Sequence, residues 1–159
     1  MARELQIVGF RVGRETFGVP IALVHEIVRV PEITAVPDSP PYVEGVINLR
    51  GKIVPVVDLR KRFGERTITA HKKNRILVAE IEGKRVGLMV DAASEVLRLQ
   101  ESDLELPHNV FESADMSYVT GVGKLQGRLI ILIDLSRILQ RAELRRLPQD
   151  EREAAGAAV

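Results

Sequence analysis

The chain of 159 residues contains no cysteine and no tryptophan, and aromatic residues make up only 4% of it. Without cysteine there is no disulfide bond, no thiolate metal site and no thiol nucleophile. The formal net charge of +1 provides no strong field to steer nucleic acid toward the protein. An uninterrupted apolar run of about eighteen residues, the length that spans a bilayer, does not occur. These absences exclude several kinds of site and predict a protein without a membrane span.

The composition is typical of a globular chain, with 45% hydrophobic and 28% charged residues. Residues 1–6 carry charges of both signs and lack the apolar core of a secretory signal. We therefore expect a cytoplasmic protein that is not inserted in the membrane. The length permits one ordinary domain or two small ones.

The strongest signal is an internal duplication, because residues 42–59 and 118–135 repeat one pattern 76 positions apart. The recurring residues are Tyr42, Val43, Gly45, Val46, Leu49, Gly51, Asp58 and Leu59 in the first copy, and Tyr118, Val119, Gly121, Val122, Leu125, Gly127, Asp134 and Leu135 in the second. A weaker echo at an offset of 69 aligns Gly18, Glu26 and Arg29 with Gly87, Glu95 and Arg98. A repeat of about seventy residues is too long for a solenoid unit and fits two similar small domains side by side.

Short β-branched, apolar runs separated by turn residues recur in both halves. They lie at 5–12, 16–21, 43–48, 52–57, 75–81, 86–90 and 129–133. Periodicity alone does not decide whether residues 22–30 form a helical turn or a strand. Many short strands with turns between them indicate small barrels or sandwiches, so we predict a mainly β protein with two linked β-barrels.

Two aspartates follow apolar strands at equivalent positions, and each is predicted to cap a helix. Asp58 precedes a short helix at 59–63, and Asp134 precedes a C-terminal helix predicted over 135–147. The two carboxylates could instead face each other across a cleft as an acid and a base. The capping interpretation explains both positions without catalysis, and we expect no catalytic residue.

The candidates for metal or nucleic-acid sites are weak. His25, His71 and His108 are the only histidines, and none is spaced with a carboxylate or second histidine in a recognised metal pattern. The basic cluster at 60–62 has only Phe63 as an aromatic neighbour, which favours a solvated face over a nucleic-acid surface. We expect no metal, no cofactor and no nucleic acid, and a small barrel that binds nucleic acid is the alternative from another class.

Arg50 lies at the turn of the first signature, where the second copy has Gln126. Its guanidinium can present a rigid fork of donors to carboxylates or carbonyls of a partner. It can equally bond to its own domain. The residues alone leave both interpretations open.

Residues 43–60, which read Val-Glu-Gly-Val-Ile-Asn-Leu-Arg-Gly-Lys-Ile-Val-Pro-Val-Val-Asp-Leu-Arg, resemble the signature of the CheW family of chemotaxis coupling proteins. The resemblance continues at 17–19 and 26–27 before it and at 86–91 after it, and it covers about 5–139. It implies two five-stranded SH3-like β-barrels packed around a central hydrophobic region.

The resemblance also implies an adaptor without catalysis, which joins the cytoplasmic tip of a methyl-accepting chemoreceptor to the regulatory domain of a CheA-type histidine kinase. Such a protein would be a monomer in solution that assembles into receptor arrays at the inner face of the membrane. Paralogues serve motility or developmental pathways, so the pathway stays open. By position, the receptor-facing residues would be Glu26, Gly45, Asn48 and Arg50, and the kinase-facing residues would be Val8, Ile21 and Val24. A place in the core is an equal alternative for Val8 and Ile21.

The same resemblance makes residues 1–148 one CheW-like domain with lobes at about 5–69 and 70–139. Exchange of strands or of the terminal helix between the lobes stays open. Residues 149–159 are expected to form a flexible tail. The turn of the second signature reads Lys-Leu-Gln-Gly at 124–127, so only the first lobe is expected to make the arginine contact.

Overall fold

The computed structural model describes residues 3–63, 70–105 and 118–139, except for the side chains of residues 94 and 95. Within these ranges lie ten β-strands and two short α-helices. The first five strands are β1 (Glu4–Val12), β2 (Glu15–Pro20), β3 (Val24–Arg29), β4 (Val43–Leu49) and β5 (Lys52–Asp58). The last five are β6 (Arg75–Ile81), β7 (Lys84–Val90), β8 (Ala92–Gln100), β9 (Val119–Leu125) and β10 (Arg128–Ile133). The helices are α1 (Leu59–Arg62) and α2 (Leu135–Ile138), and 3₁₀ turns lie at Ile21–Leu23 and Glu101–Asp103.

The strands form two five-stranded sheets, which confirms the prediction of a mainly β protein. Sheet one has the strand order β8-β1-β2-β10-β9, and sheet two has the order β3-β6-β7-β5-β4. One pair in each sheet is parallel, β2 with β10 and β5 with β7, whereas the other pairs are antiparallel. The segment 22–30, which periodicity left open, begins within a 3₁₀ turn and continues as β3.

The division of the sheets differs from the predicted lobes at 5–69 and 70–139. Each sheet takes one hairpin from one half of the chain and three strands from the other half. The β1–β2 hairpin lies among β8, β9 and β10, and the β6–β7 hairpin lies among β3, β4 and β5. The two repeats have therefore exchanged their first hairpins. The resemblance left an exchange of strands between the lobes open, and the structure shows which strands are exchanged.

Backbone hydrogen bonds recur at equivalent positions of the two sequence repeats. The amides of Asp58 and Asp134 donate to the carbonyls of Tyr42 and Tyr118, each over 2.8 Å. Thr34 pairs with Val46 as Glu105 pairs with Val122, through two hydrogen bonds of 2.9 Å in each case. The turn residues also correspond, with positive φ at Arg50 and Gly51 and at Gln126 and Gly127. Positive φ at both central residues is the geometry of a tight two-residue hairpin turn.

Both predicted helix caps are present. Asp58 Oδ1 accepts a hydrogen bond from the amide of Arg60 over 2.9 Å, and Asp134 Oδ1 accepts one from the amide of Ser136 over 3.0 Å. The second helix is shorter than predicted, because Leu139 has an extended backbone with φ −110° and ψ 118°. A single uninterrupted helix over 135–147 is therefore wrong, and residues 140–159, including the predicted tail, lie outside the described residues. In the described part of the chain, no helix has the length and hydrophobicity needed to cross a membrane.

The hydrophobic core has three parts. Two are formed mainly by the residues of a single sheet, and the third is shared between the two sheets. The core of sheet one includes Ile7, Leu97, Leu99, Ile130 and Leu132. The core of sheet two includes Ile47, Val54, Val56, Ile76, Val78 and Met89. The shared core takes residues from both sheets and both helices, among them Val8, Phe10, Val19, Leu77, Leu88, Leu59 and Leu135. Phe10, Phe17, Phe63 and Tyr118 form a row of rings through this region, with successive centroids 5.9, 4.9 and 5.4 Å apart.

A group of charged and polar side chains joins the two sheets: Asp58, Arg60 and Asn74 are buried, and Asp91 is partly exposed. We refer to it as the Arg60 cluster. The guanidinium of Arg60 donates to Asp58 through Nε and Nη2, each over 3.0 Å, and lies 3.3 Å from Asp91 Oδ1 through Nη1. The other oxygen of Asp91 accepts a hydrogen bond of 2.7 Å from the amide of Gly13, in the β1–β2 turn of sheet one. Asp91 therefore ties helix α1 beside sheet two to the exchanged hairpin in sheet one.

The Arg60 side chain is only 6% exposed, so its charge needs compensation inside the protein. Burial lowers the pKa of Arg60, but hydrogen bonds and attraction to Asp58, and then to Asp91, outweigh it and raise the pKa above its ordinary value. The Arg60 guanidinium therefore keeps its positive charge inside the protein.

We expect Gly45→Ala to destabilise the protein by about 2 kcal/mol or more. Gly45 has φ +144°, and a Cβ there would lie 2.1 Å from the carbonyl oxygen of Thr34; strained backbone and overpacking each cost of order 1–3 kcal/mol. Gly121, its counterpart in the second repeat, is the control, because a Cβ there would meet its nearest atom at 3.5 Å. Urea unfolding followed by circular dichroism measures both. Equal losses for the two variants would contradict this account.

We also expect Asp58→Ala and Asp134→Ala to differ, although both aspartates cap a helix. Loss of Asp134 removes a partly exposed cap, which costs about 0.5–2 kcal/mol. Loss of Asp58 also leaves a buried guanidinium with one carboxylate fewer, and breaking a buried ion pair costs about 3–5 kcal/mol. The free energy of unfolding in urea measures the difference, and similar values for the two variants would show that the Arg60 cluster adds nothing to the cap.

Candidate partner-binding surface

The structure brings Glu26 and Arg50 together, although they belong to opposite ends of sheet two. Glu26 lies on β3 and Arg50 lies in the β4–β5 turn, and β3 and β4 are the two outermost strands of sheet two. The Arg50 guanidinium donates to both carboxylate oxygens of Glu26, over 3.0 Å from Nη1 and 2.5 Å from Nη2. Arg50 therefore does bond to its own domain, and this bond does not test the predicted contact with a partner.

The same arginine remains accessible. Its side chain is 75% exposed, whereas that of Glu26 is 23% exposed. The hydrogen bond with Glu26, followed by Coulombic attraction to it, raises the pKa of Arg50 above the ordinary value. The carboxylate holds the guanidinium in one orientation, and the exposed edge keeps donors available to a partner.

The other two predicted receptor-facing residues shape the backbone around this pair. Asn48 is exposed, and its Oδ1 accepts a hydrogen bond of 2.8 Å from the amide of Gly51. This bond fixes the turn that carries Arg50. Gly45 is buried and lets Thr34 approach β4. Asn48 is available for direct contact, whereas Gly45 acts through the geometry of the strand.

The three predicted kinase-facing residues differ in exposure. Val8 is 3% exposed and lies in the shared core, so for Val8 the core alternative is correct in this chain. Ile21 is 36% exposed, and Val24 is partly buried against the shared core. Val8 lies on β1, and the exchange of hairpins places that strand between the two cores.

A group of exposed apolar side chains extends from Ile21 along β3. It consists of Ile21, Leu23, Ile27 and Val30, which are 36–38% exposed, and we call it the apolar edge. Sequence reasoning missed Leu23, Ile27 and Val30. Burial alternates along β3, with Val24, Glu26 and Val28 more buried than His25, Ile27 and Arg29. This alternation is the signal that could have found Ile27, but the sequence did not show which face was covered.

The basic cluster at 60–62 is not the solvated face that the sequence predicted. Arg60 belongs to the buried cluster described above. Lys61 forms an ion pair with Glu44. Arg62 lies 5.7 Å from the ring centroid of Tyr42, and its Nε donates to the carbonyl of Ile138 over 3.0 Å. All three side chains therefore hold α1 against its surroundings.

The described histidines have local roles. His25 Nε2 lies 4.0 Å from Glu80 Oε2 on the surface, and His71 Nδ1 accepts a hydrogen bond from the amide of Lys73 over 3.0 Å. His108 lies outside the described residues. Among the described residues, no three histidine or carboxylate side chains are grouped so as to hold a metal ion.

Comparisons with known proteins agree with one another. A family model described as the CheW-like domain matches residues 6–143. The chemotaxis protein CheW of Rhizobium meliloti (strain 1021) is 35% identical over 150 residues, which are 94% of this chain and 92% of that protein. The chemotaxis protein CheW of Thermotoga maritima is 34% identical over 138 residues, which are 87% of this chain and 89% of that protein.

A solved structure has the same fold. The scaffolding protein TtCheW from Thermoanaerobacter tengcongensis matches with a TM-score of 0.82 and 39% identity, over 92% of this chain and 100% of that chain. These matches give no support to the alternative of a small barrel that binds nucleic acid. The family model covers well over half of the sequence, and the relatives match along most of their own length. The chain belongs to the CheW-like family.

Proposed function

We propose that this protein is a non-catalytic chemotaxis adaptor that couples the cytoplasmic tip of a chemoreceptor to the regulatory domain of a histidine kinase. The observation that carries the proposal is the position of two binding features on one strand. Glu26, which orients Arg50, and Ile27 of the apolar edge are neighbours on β3. An adaptor needs two docking features close enough to influence each other, and β3 provides them.

Arg50 is the residue we assign to the receptor. A guanidinium has five N–H donors, and the bond to Glu26 occupies only one side of it. The remaining donors suit carboxylates or backbone carbonyls of the receptor tip. Asn48 supports this geometry, because it fixes the turn and is itself exposed.

The apolar edge is the surface we assign to the kinase domain. Its four side chains keep more than a third of their surface in water, and covering them with a partner contributes roughly 25 cal/mol for each Å² buried. Among the residues that make up this edge, Ile21 and Leu23 lie in a 3₁₀ turn at the start of β3. Val24 supports the turn from beneath, and Val8 contributes to the core.

The same proposal includes a place of action. The protein would be a monomer in solution and would join receptor arrays at the inner face of the membrane through these two partners. Individual affinities near the micromolar range, about 8 kcal/mol, would suffice because an array multiplies weak contacts. Asp58 and Asp134, which were considered as an acid and a base, have structural roles as caps.

We expect Arg50→Ala to weaken binding to the receptor tip about tenfold, or about 1.4 kcal/mol, while the fold stays intact. The side chain is mostly exposed, so its loss removes donors without opening a cavity. Gln126→Ala is the matched control at the equivalent turn of the second repeat. Titration calorimetry with a soluble receptor fragment measures binding, and circular dichroism checks the fold. Equal binding by the two folded variants would remove Arg50 from the receptor site.

We expect Ile21→Glu to weaken binding to the kinase regulatory domain at least about tenfold, because a carboxylate at a desolvated position costs more than 1 kcal/mol. Leu129→Glu is the control, since Leu129 is also apolar and 55% exposed but lies on β10 of sheet one. Calorimetry with the isolated domain gives both affinities. Loss of binding in the Leu129 variant alone would indicate that the kinase domain binds sheet one instead of the apolar edge.

A further inference from the structure

A groove of about 400 Å³ lies where β1 of sheet one meets the start of β6 and β8. Four cationic residues line it: Arg11, Lys73, Arg75 and Arg128. None of the described residues that line the groove is acidic. Positive charge is therefore concentrated at one place in a protein whose net charge is only +1.

Three of these cations, Arg11, Lys73 and Arg75, have no carboxylate partner among the side chains that the structure describes. The side chains of Arg11 and Lys73 form no ion pair with any residue whose side chain the structure describes. The guanidinium of Arg75 donates to the backbone carbonyls of Lys72 and Asn74, each over 2.8 Å, which fixes its position and leaves its charge in place. Elsewhere the cations of Arg50, Arg60 and Lys61 are paired with carboxylates. The groove thus presents positive charge to anionic groups, with Arg75 held in a fixed position.

The floor of the groove favours a peptide over other anions. Gly9, Ala92 and Ala93 contribute small or absent side chains, which leave room for the backbone and methylene groups of a polypeptide. The pairing of β1 with β8 shifts at Gly9 and Phe10, an irregularity of the kind that often adjoins binding sites. Phe10, the aromatic residue in the lining, is only 2% exposed, so it offers no stacking platform to a nucleic acid.

We propose that this groove binds an acidic peptide segment of a protein partner, with glutamate or aspartate side chains meeting Arg11, Lys73 and Arg75. It shares no residue with the Glu26–Arg50 pair or the apolar edge. The proposal rests on the proposed adaptor function only in that the segment belongs to a protein that the adaptor brings into the assembly. Charge complementarity of this kind speeds encounter and selects among partners.

The test uses the full-length protein and a fluorescein-labelled peptide in which glutamate and alanine alternate. We expect saturable binding by fluorescence anisotropy that weakens as salt rises, and no binding of the same peptide with glutamine for glutamate. The double variant Arg11→Glu, Lys73→Glu should bind at least about tenfold more weakly. The double variant Arg98→Glu, Lys124→Glu makes the same charge change on exposed residues outside the groove and should bind within about threefold of the unmodified protein.

Three outcomes would overturn the proposal. They are failure of the acidic peptide to bind, equal weakening by the two double variants, and displacement of the peptide by inorganic phosphate at the concentration of the peptide. The last result would identify a site for small anions. The Arg50→Ala variant separates this question from the adaptor function, because it should lose receptor affinity and keep peptide binding. Receptor and kinase binding, measured on the same protein sample, therefore tests the adaptor function separately from the groove.

Discussion

Strands β1, β6 and β7 bury side chains on both faces, and the architecture depends on that constraint. Along β6, Ile76 and Val78 lie in the core of sheet two, whereas Leu77 and Ala79 lie in the shared core. Strands buried on both faces need neighbours at both edges and carry nearly continuous apolar sequences. The exchange of hairpins gives both hairpins neighbours at both edges, because each hairpin is inserted between strands of the other repeat. The parallel pairs β2–β10 and β5–β7 are the direct result.

The duplicated scaffold also shows where the two repeats have separated in role. Equivalent turns hold Arg50 and Gln126 at φ 52°, but Arg50 meets a carboxylate on the opposite edge of its barrel. Equivalent caps at Asp58 and Asp134 are followed by a buried arginine in one case and by Ser136 in the other. The asymmetry places the exposed guanidinium and the buried charge cluster both beside sheet two. Shared geometry supports the fold, and the residues that differ give sheet two the features that we propose for binding.

Part of this could be predicted from the sequence because it depends on local chemistry. The recurring glycines and aspartates specified the turns and the caps, and the resemblance located Glu26 near Arg50. The resemblance left an exchange between the lobes open. The residues alone could not show which strands are exchanged, because the parallel pairing of β2 with β10 produces no periodic pattern in the sequence. For this reason the sequence did not decide whether Val8 lies on the surface or in the core. The answer depends on which strands cover β1. The apolar edge was missed because the sequence does not show which face of β3 the other described residues leave exposed.

The two proposed docking features are linked by the backbone of one strand. Arg50 reaches Glu26, and the next residue along β3 is Ile27 of the apolar edge. A partner that attracts the guanidinium must compete with Glu26 or bind the pair as one unit, and either event acts on β3 directly. On its paired side β3 contacts β6, which belongs to an exchanged hairpin packed into the shared core. Asp91, which directly follows that hairpin, connects to Arg60 and to the β1–β2 turn. A continuous series of packed elements therefore connects the edge of sheet two to the β1–β2 hairpin of sheet one.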